Sequence, residues 1–108
     1  MANTFKLKTK ANVGVSTSNV YVVPSATTTV VIGVTLANTS GSSINVGVGV
    51  TRASTDDVKL MKNVPIPQGS SFEFMAGNKV VLETTDTLPA ESDVSNSLDV
   101  ALKIMEIT

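Results

Sequence analysis

Histidine, cysteine and tryptophan are absent from this sequence, and arginine occurs once, at position 52. Each absence removes a class of chemistry. Histidine is the side chain that titrates near neutral pH without help, and cysteine is the strongest common nucleophile. A Ser-His-Asp set is therefore impossible, and no motif supports a Ser-Lys or carboxylate mechanism. No disulfide or cysteine-based metal site can staple the fold, so stability must come from sheet packing or oligomerisation. The lack of cysteine leaves the redox compartment open. One tyrosine and three phenylalanines are too few for a sugar-stacking platform or a single-strand nucleic-acid binder. Charge is scarce as well, at 16% of residues with a net charge of −1. That argues against a general nucleic-acid binder, which needs a basic face to neutralise phosphates. It also suggests that partners cover part of the surface. No run approaches the ~18 apolar residues of a membrane-spanning helix. The N-terminal residues lack the apolar core of a signal peptide, so synthesis in a cytosol is the expectation.

What remains is strand-forming regularity. The 108 residues suit one small domain, spanning 1–108. Apolar residues alternate with polar ones almost throughout, the period of a half-buried strand. Thr4 to Val13 reads as a first strand, with Phe5 and Leu7 on one face and Lys6, Lys8 and Lys10 on the other. Asn19 to Val23 is a short strand stopped by Pro24. Thr27 to Ala37 is rich in β-branched residues that suit a pleated sheet. The loop Asn38 to Ser42 predicts a hairpin returning through Ser43 to Arg52. Val30, Ile32, Val34 and Leu36 then face inward with Val46, Val48 and Val50.

The second half is more broken. A turn is predicted at Thr55 to Asp57 and a short strand at Val58 to Lys62. Pro65 and Pro67 place Val64 to Gly69 outside regular sheet, as a crossover, because proline removes ladder donors. Strands follow at Ser71 to Met75 and Lys79 to Thr84, around a turn at Ala76 to Asn78. Phe72 and Phe74 share a face, expected to be a core face. Asp86 to Ser97 reads as a polar loop around Pro89, and Leu98 to Ile107 as the last strand. The expected fold is all-β: a single-domain antiparallel β-sandwich or flattened barrel of about eight strands.

Two surfaces stand out as candidate interfaces. Gly47 and Gly49 fall opposite Val46, Val48 and Val50, and with Asn45 and Thr51 they form a flat stripe. Strand glycines cost stability, so the flatness suggests close approach of a partner. A sheet bend, or a gap filled by a large neighbour such as Phe72 or Tyr21, is the plainer alternative. Lys6, Lys8 and Lys10 place three of the chain's eight basic residues on one strand face. They read either as edge protection or as a basic stripe that docks on acidic loops. Asp86, Glu91, Asp93 and Asp99, with the pair Asp56 and Asp57, match no metal-binding spacing and read as solvated loops or ion pairs. Gly47 to Val50 lacks the lysine and helix of a phosphate loop. No catalytic residue, cofactor or metal is expected.

Met1 to Lys6, Thr28 to Asn38, Pro65 to Ser71, Gly77 to Glu83 and the ending Glu106-Ile107-Thr108 together resemble small virion structural proteins of tailed bacteriophages, of the marine and cyanophage type. The resemblance implies a non-enzymatic particle component made in the host bacterial cytoplasm. Its expected partners are other virion proteins, such as major capsid or tail proteins, and copies of itself, with no nucleic acid and no membrane. A capsid decoration (cement) subunit on the outer surface is the first expectation. A neck, tail or baseplate accessory protein is the second, and a host-surface binding module on a fibre is the third.

Overall fold

The computed structural model describes residues 3–52, 57–74 and 80–108, with the backbone alone at Phe74. They form nine strands: β1 (Asn3–Val13), β2 (Ser18–Val22), β3 (Thr28–Asn38), β4 (Ile44–Thr51), β5 (Asp57–Ile66), β6 (Ser71–Phe74), β7 (Val80–Leu82), β8 (Thr87–Ser92) and β9 (Leu98–Ile107). One sheet runs β1-β9-β3-β6, with β7 also on β3, and the other runs β2-β8-β4-β5. All pairings are antiparallel. The pairs are nested: β1 with β9, β2 with β8, β3 with β6 and β7, and β4 with β5. That nesting is a jelly roll, a long antiparallel ribbon rolled into two facing sheets. The expected all-β sandwich is thus the fold.

The core lies between the sheets. β9 contributes Leu98, Val100, Leu102 and Ile104, and β4 contributes Ile44, Val46, Val48 and Val50, all buried. In β9 every second residue points inward along its whole length, so the period-two pattern is unbroken. In β3 it is broken. Val31 pairs with Ile104 and Gly33 with Lys103, which leaves Ile32 as an extra, bulged residue. Thr29 and Val31 are therefore inward before the bulge, and Val34 and Leu36 after it. Of the expected inward set, Val30 and Ile32 are displaced from the core by this one-residue shift.

Three other expectations change. β3 and β4 do not form a hairpin, because they belong to opposite sheets. The loop between them crosses the sandwich, and the buried Asn38 pins it. Its side-chain amide donates to the carbonyls of Ser42 (2.8 Å) and Ile66 (2.9 Å) and its oxygen accepts from the Ser40 N–H (2.9 Å). Val64 to Ile66 are not crossover but the end of β5, with Pro65 opposite Asn45. A proline is tolerated there because β5 is an edge strand. Pro67 to Gly69 do lie outside the sheet, and Ile66 is buried.

The expected Asp86 to Ser97 loop contains β8, an interior strand between β2 and β4. Pro89 survives there because the ladder to β4 is interrupted between the pairs Val48–Ala90 and Thr51–Thr87. The turns expected around Thr55-Asp56 and Ala76 to Asn78, and the strand ends at Met75 and Lys79, lie outside the described residues.

Candidate assembly surfaces

β1 is an edge strand, and it places its lysines on the inner side. Lys6 stands opposite Ile104, Lys8 opposite Leu102 and Lys10 opposite Val100, all core residues of β9. Phe5 and Leu7 consequently point outward and are exposed. Lysine can occupy an inner edge position because its stem covers apolar surface while its ammonium reaches water. Lys6 Nζ meets Glu106 Oε1 at 2.8 Å, and Lys8 Nζ lies 6.0 Å from the centre of the Tyr21 ring.

These contacts belong to a buried polar bridge between the sheets. The Tyr21 hydroxyl, from β2, donates to Glu106 Oε2 of β9 at 2.5 Å and lies 2.8 Å from Thr29 Oγ1 of β3. Burial first, and then the hydrogen bond to Glu106, pushes the Tyr21 pKa up to about 12. Lys6 first, and then the Tyr21 hydroxyl, hold the Glu106 carboxyl below the usual carboxylate range. The group is fully partnered and serves as a strut.

Gly47 and Gly49 are covered by their own chain. A Cβ on Gly47 would lie 3.3 Å from Glu91 Oε1 and 3.4 Å from the Met61 carbonyl oxygen. A Cβ on Gly49 would lie 2.6 Å from the Val58 carbonyl oxygen. The cause is local: the β4–β5 register shifts between Val46 and Val48 and again between Val48 and Gly49. The bulged β5 backbone leans onto β4, and at Gly49 only glycine leaves room. Thus the stripe of Asn45, Gly47, Gly49 and Thr51 is not an open flat surface: both glycines are buried. Gly49→Ala is expected to destabilise the fold by about 1–3 kcal/mol. Gly41→Ala, where nothing lies within 4 Å, is the control for chemical denaturation.

Asn45 and Gly47 instead form part of the rim of a groove of about 380 Å³, shared with Val15, Lys62, Glu91 and Asp93. The carboxylates here are already engaged. Asp93 Oδ1 accepts the Asn45 N–H at 2.9 Å, and Glu91 meets Lys59 Nζ at 3.2 Å. The other acids are structural too. Asp86 is buried, accepts from Arg52 Nε at 3.0 Å, and accepts the Glu83 N–H at 2.9 Å. Asp99 accepts the Asn12 N–H at 3.0 Å. Asp57 lies at the start of β5, and Asp56 is outside the described residues. No grouping of three or more acids that could hold a metal occurs among the described residues.

A chain from the disulfide-linked pili that form Bacillus endospore appendages superposes with a TM-score of 0.60 at 10% identity, covering 99% of this chain and 87% of that one. The chain is similar in fold to a pilus protein. A chain of the T13 particle of the icosahedral virus IBDV gives a TM-score of 0.42 at 10% identity, covering 96% of this chain and 30% of that one. No protein-family model and no curated protein matches the sequence.

One surface was not legible from spacing alone. On the outer face of the first sheet, Phe5 stands opposite Met105, Met105 opposite Val30, and Val30 opposite Val81. This apolar row crosses β1, β9, β3 and β7. Its end members are the most exposed, Phe5 at 72% and Val81 at 59%, and Leu7 beside it is 62% exposed. Beyond the row, Lys103 pairs with Glu73 at 3.0 Å, in space that Gly33 leaves open. Phe5 and Leu7 were visible in the sequence as a face. Their partners across three strands depend on register.

Proposed function

We propose that this chain is a non-enzymatic structural subunit of a virion, a small tailed-phage protein that binds the outer surface of the particle as a capsid decoration subunit. The observation that carries this reading is the outer apolar row, with Phe5, Leu7 and Val81 exposed, on a jelly roll whose acids and lysines mostly serve its own fold. Contiguous exposed apolar surface of this kind marks an association site. Fold alone does not assign function. Jelly rolls nevertheless recur in particle-forming proteins, and the likeness to a pilus protein favours an assembled role. With no cysteine, such an assembly would rest on non-covalent contacts.

That pilus likeness also favours a second reading, a neck or tail accessory protein in a stacked array. Lys6, Lys8, Lys10, Asn45 and Thr51 remain candidate contacts in either setting, whereas Gly47 and Gly49 are buried against their own chain. Contacts through lysines weaken as the Debye length falls from about 10 Å at 0.1 M salt to about 3 Å at 1 M, whereas apolar contacts do not.

Mass spectrometry of gradient-purified particles, washed at low and high salt, tests the proposal. Peptides of this chain should be found in stoichiometric amount after both washes. Their loss at high salt would move the contact to the lysines, and their absence at low salt would contradict the virion role.

A further inference from the structure

Among the described residues the two sheets end on β1 and on β6 with β7, and on β2 and β5, and these edges are not alike. β2 is short, at 5 residues, with a register shift between Asn19 and Tyr21. β5 carries Pro65, two register shifts, and Asn63 at a φ of 54°. These are devices that discourage strand addition. β1 differs. It is 11 residues long and pairs with β9 from Asn3 to Lys10 without a bulge. Its outward edge is therefore a long, regular row of backbone donors and acceptors. The opposite edge of the same sheet is β7 and β6, which lie end to end on β3.

The sense of the strands makes these two edges compatible. β1 is antiparallel to β9, β9 to β3, and β3 to β6 and β7. A copy placed beside β7 by simple continuation of the sheet presents its β1 antiparallel to β7. The outer apolar row points the same way. Its most exposed members sit at the two edges, so continuation places Phe5 of one copy against Val81 of the next and covers both. The inner lysines argue against the obvious rival, a two-fold pairing of β1 with β1. That arrangement sets the Lys6, Lys8 and Lys10 rows against each other, and like charges across a strand pair are destabilising.

We propose that copies of this chain add edge to edge, β1 of one copy against β7 and β6 of the next, so that the sheet and its apolar row run on from subunit to subunit. This deepens the structural-subunit reading and rests on it. The contact is head to tail, so it builds rings or open rows rather than closed dimers. Main-chain hydrogen bonds supply its affinity, and the Phe5–Val81 contact sets its register.

The absence of cysteine makes the test direct. Phe5→Cys and Val81→Cys are made singly and together, and the purified proteins are oxidised and treated with a short bismaleimide over a concentration series. Both positions are exposed, so unchanged melting curves verify folding. The single variants alone should not cross-link, their mixture should give a cross-linked dimer, and the double variant should give a ladder. Val81→Lys in the otherwise unaltered chain should weaken self-association in sedimentation by about tenfold or more. A dimer from Phe5→Cys alone would overturn the proposal in favour of two-fold pairing. Failure of the mixture and of the double variant to cross-link would overturn it altogether. A ladder from a chain absent from purified particles would leave the edge contact standing and contradict the virion role. Cross-linking failure with normal particle incorporation would do the reverse.

Discussion

Val48→Asp is expected to abolish folding. Val48 is buried in β4, opposite Ala90 on one side and Met61 on the other. A carboxylate there has no cation within the core, and an uncompensated buried charge costs about 3–5 kcal/mol. Domains of this size hold only about 5–15 kcal/mol in total. Circular dichroism should show loss of the sheet signal, and amide proton shifts should collapse to the unfolded range. Val22→Asp is the control, because Val22 is half exposed, and it should cost no more than about 0.5 kcal/mol. A Val48→Asp protein that melts like its parent would contradict the assigned face of β4.

The second large effect concerns the strut between the sheets. Glu106→Ala removes the carboxylate that Tyr21 and Lys6 share, and should cost about 2 kcal/mol. Glu106→Gln keeps an acceptor and should cost less. The pH dependence follows from the two shifts. Glu106 has a folded pKa below its unfolded value. Its contribution is therefore present above the ordinary carboxylate range and is lost as pH falls through the folded value. Tyr21, raised to about 12 from 10.0, behaves in the opposite sense. Its contribution is full below 10 and is lost as pH rises toward 12. Urea titrations across pH should show both limbs. Tyr21→Phe should remove the alkaline limb, and its persistence in that variant would show that another group causes it.

Much of the fold was written locally. β9 alternates without interruption, so its strand and inward face were plain from Leu98, Val100, Leu102 and Ile104 alone. β3 was plain as a strand but not as a face, because one bulged residue at Ile32 reverses the pattern halfway along. β8 was missed because Thr87 to Ser92 carries a proline and an acid and no β-branched run. Its place inside a sheet is set by its neighbours β2 and β4. The β3–β4 loop carries serine and glycine signals that suit a hairpin and a crossing equally. Asn38, reaching Ile66, decides for the crossing. In a jelly roll, most partners are distant in sequence, and local turn chemistry cannot specify them.

The candidate surfaces divide in the same way. The lysine face of β1 was readable from alternation, but its inward direction was not. Glu106 and Tyr21, which engage two of those lysines, are 85 residues apart. The glycine stripe was readable as an anomaly with two explanations, and the Val58 carbonyl against Gly49 explains the anomaly within the chain. The apolar row was half visible, as Phe5 and Leu7. Met105, Val30 and Val81 joined it only through three strand registers.

Electron cryo-microscopy of intact particles carrying this chain tests the central claim most directly. The account predicts a two-sheet sandwich, about 45 Å long, in many symmetric copies on the particle exterior, with the face bearing Phe5, Met105, Val30 and Val81 covered by a neighbour. A reconstruction with no density for the chain, or with that face bare to solvent in every copy, would contradict it.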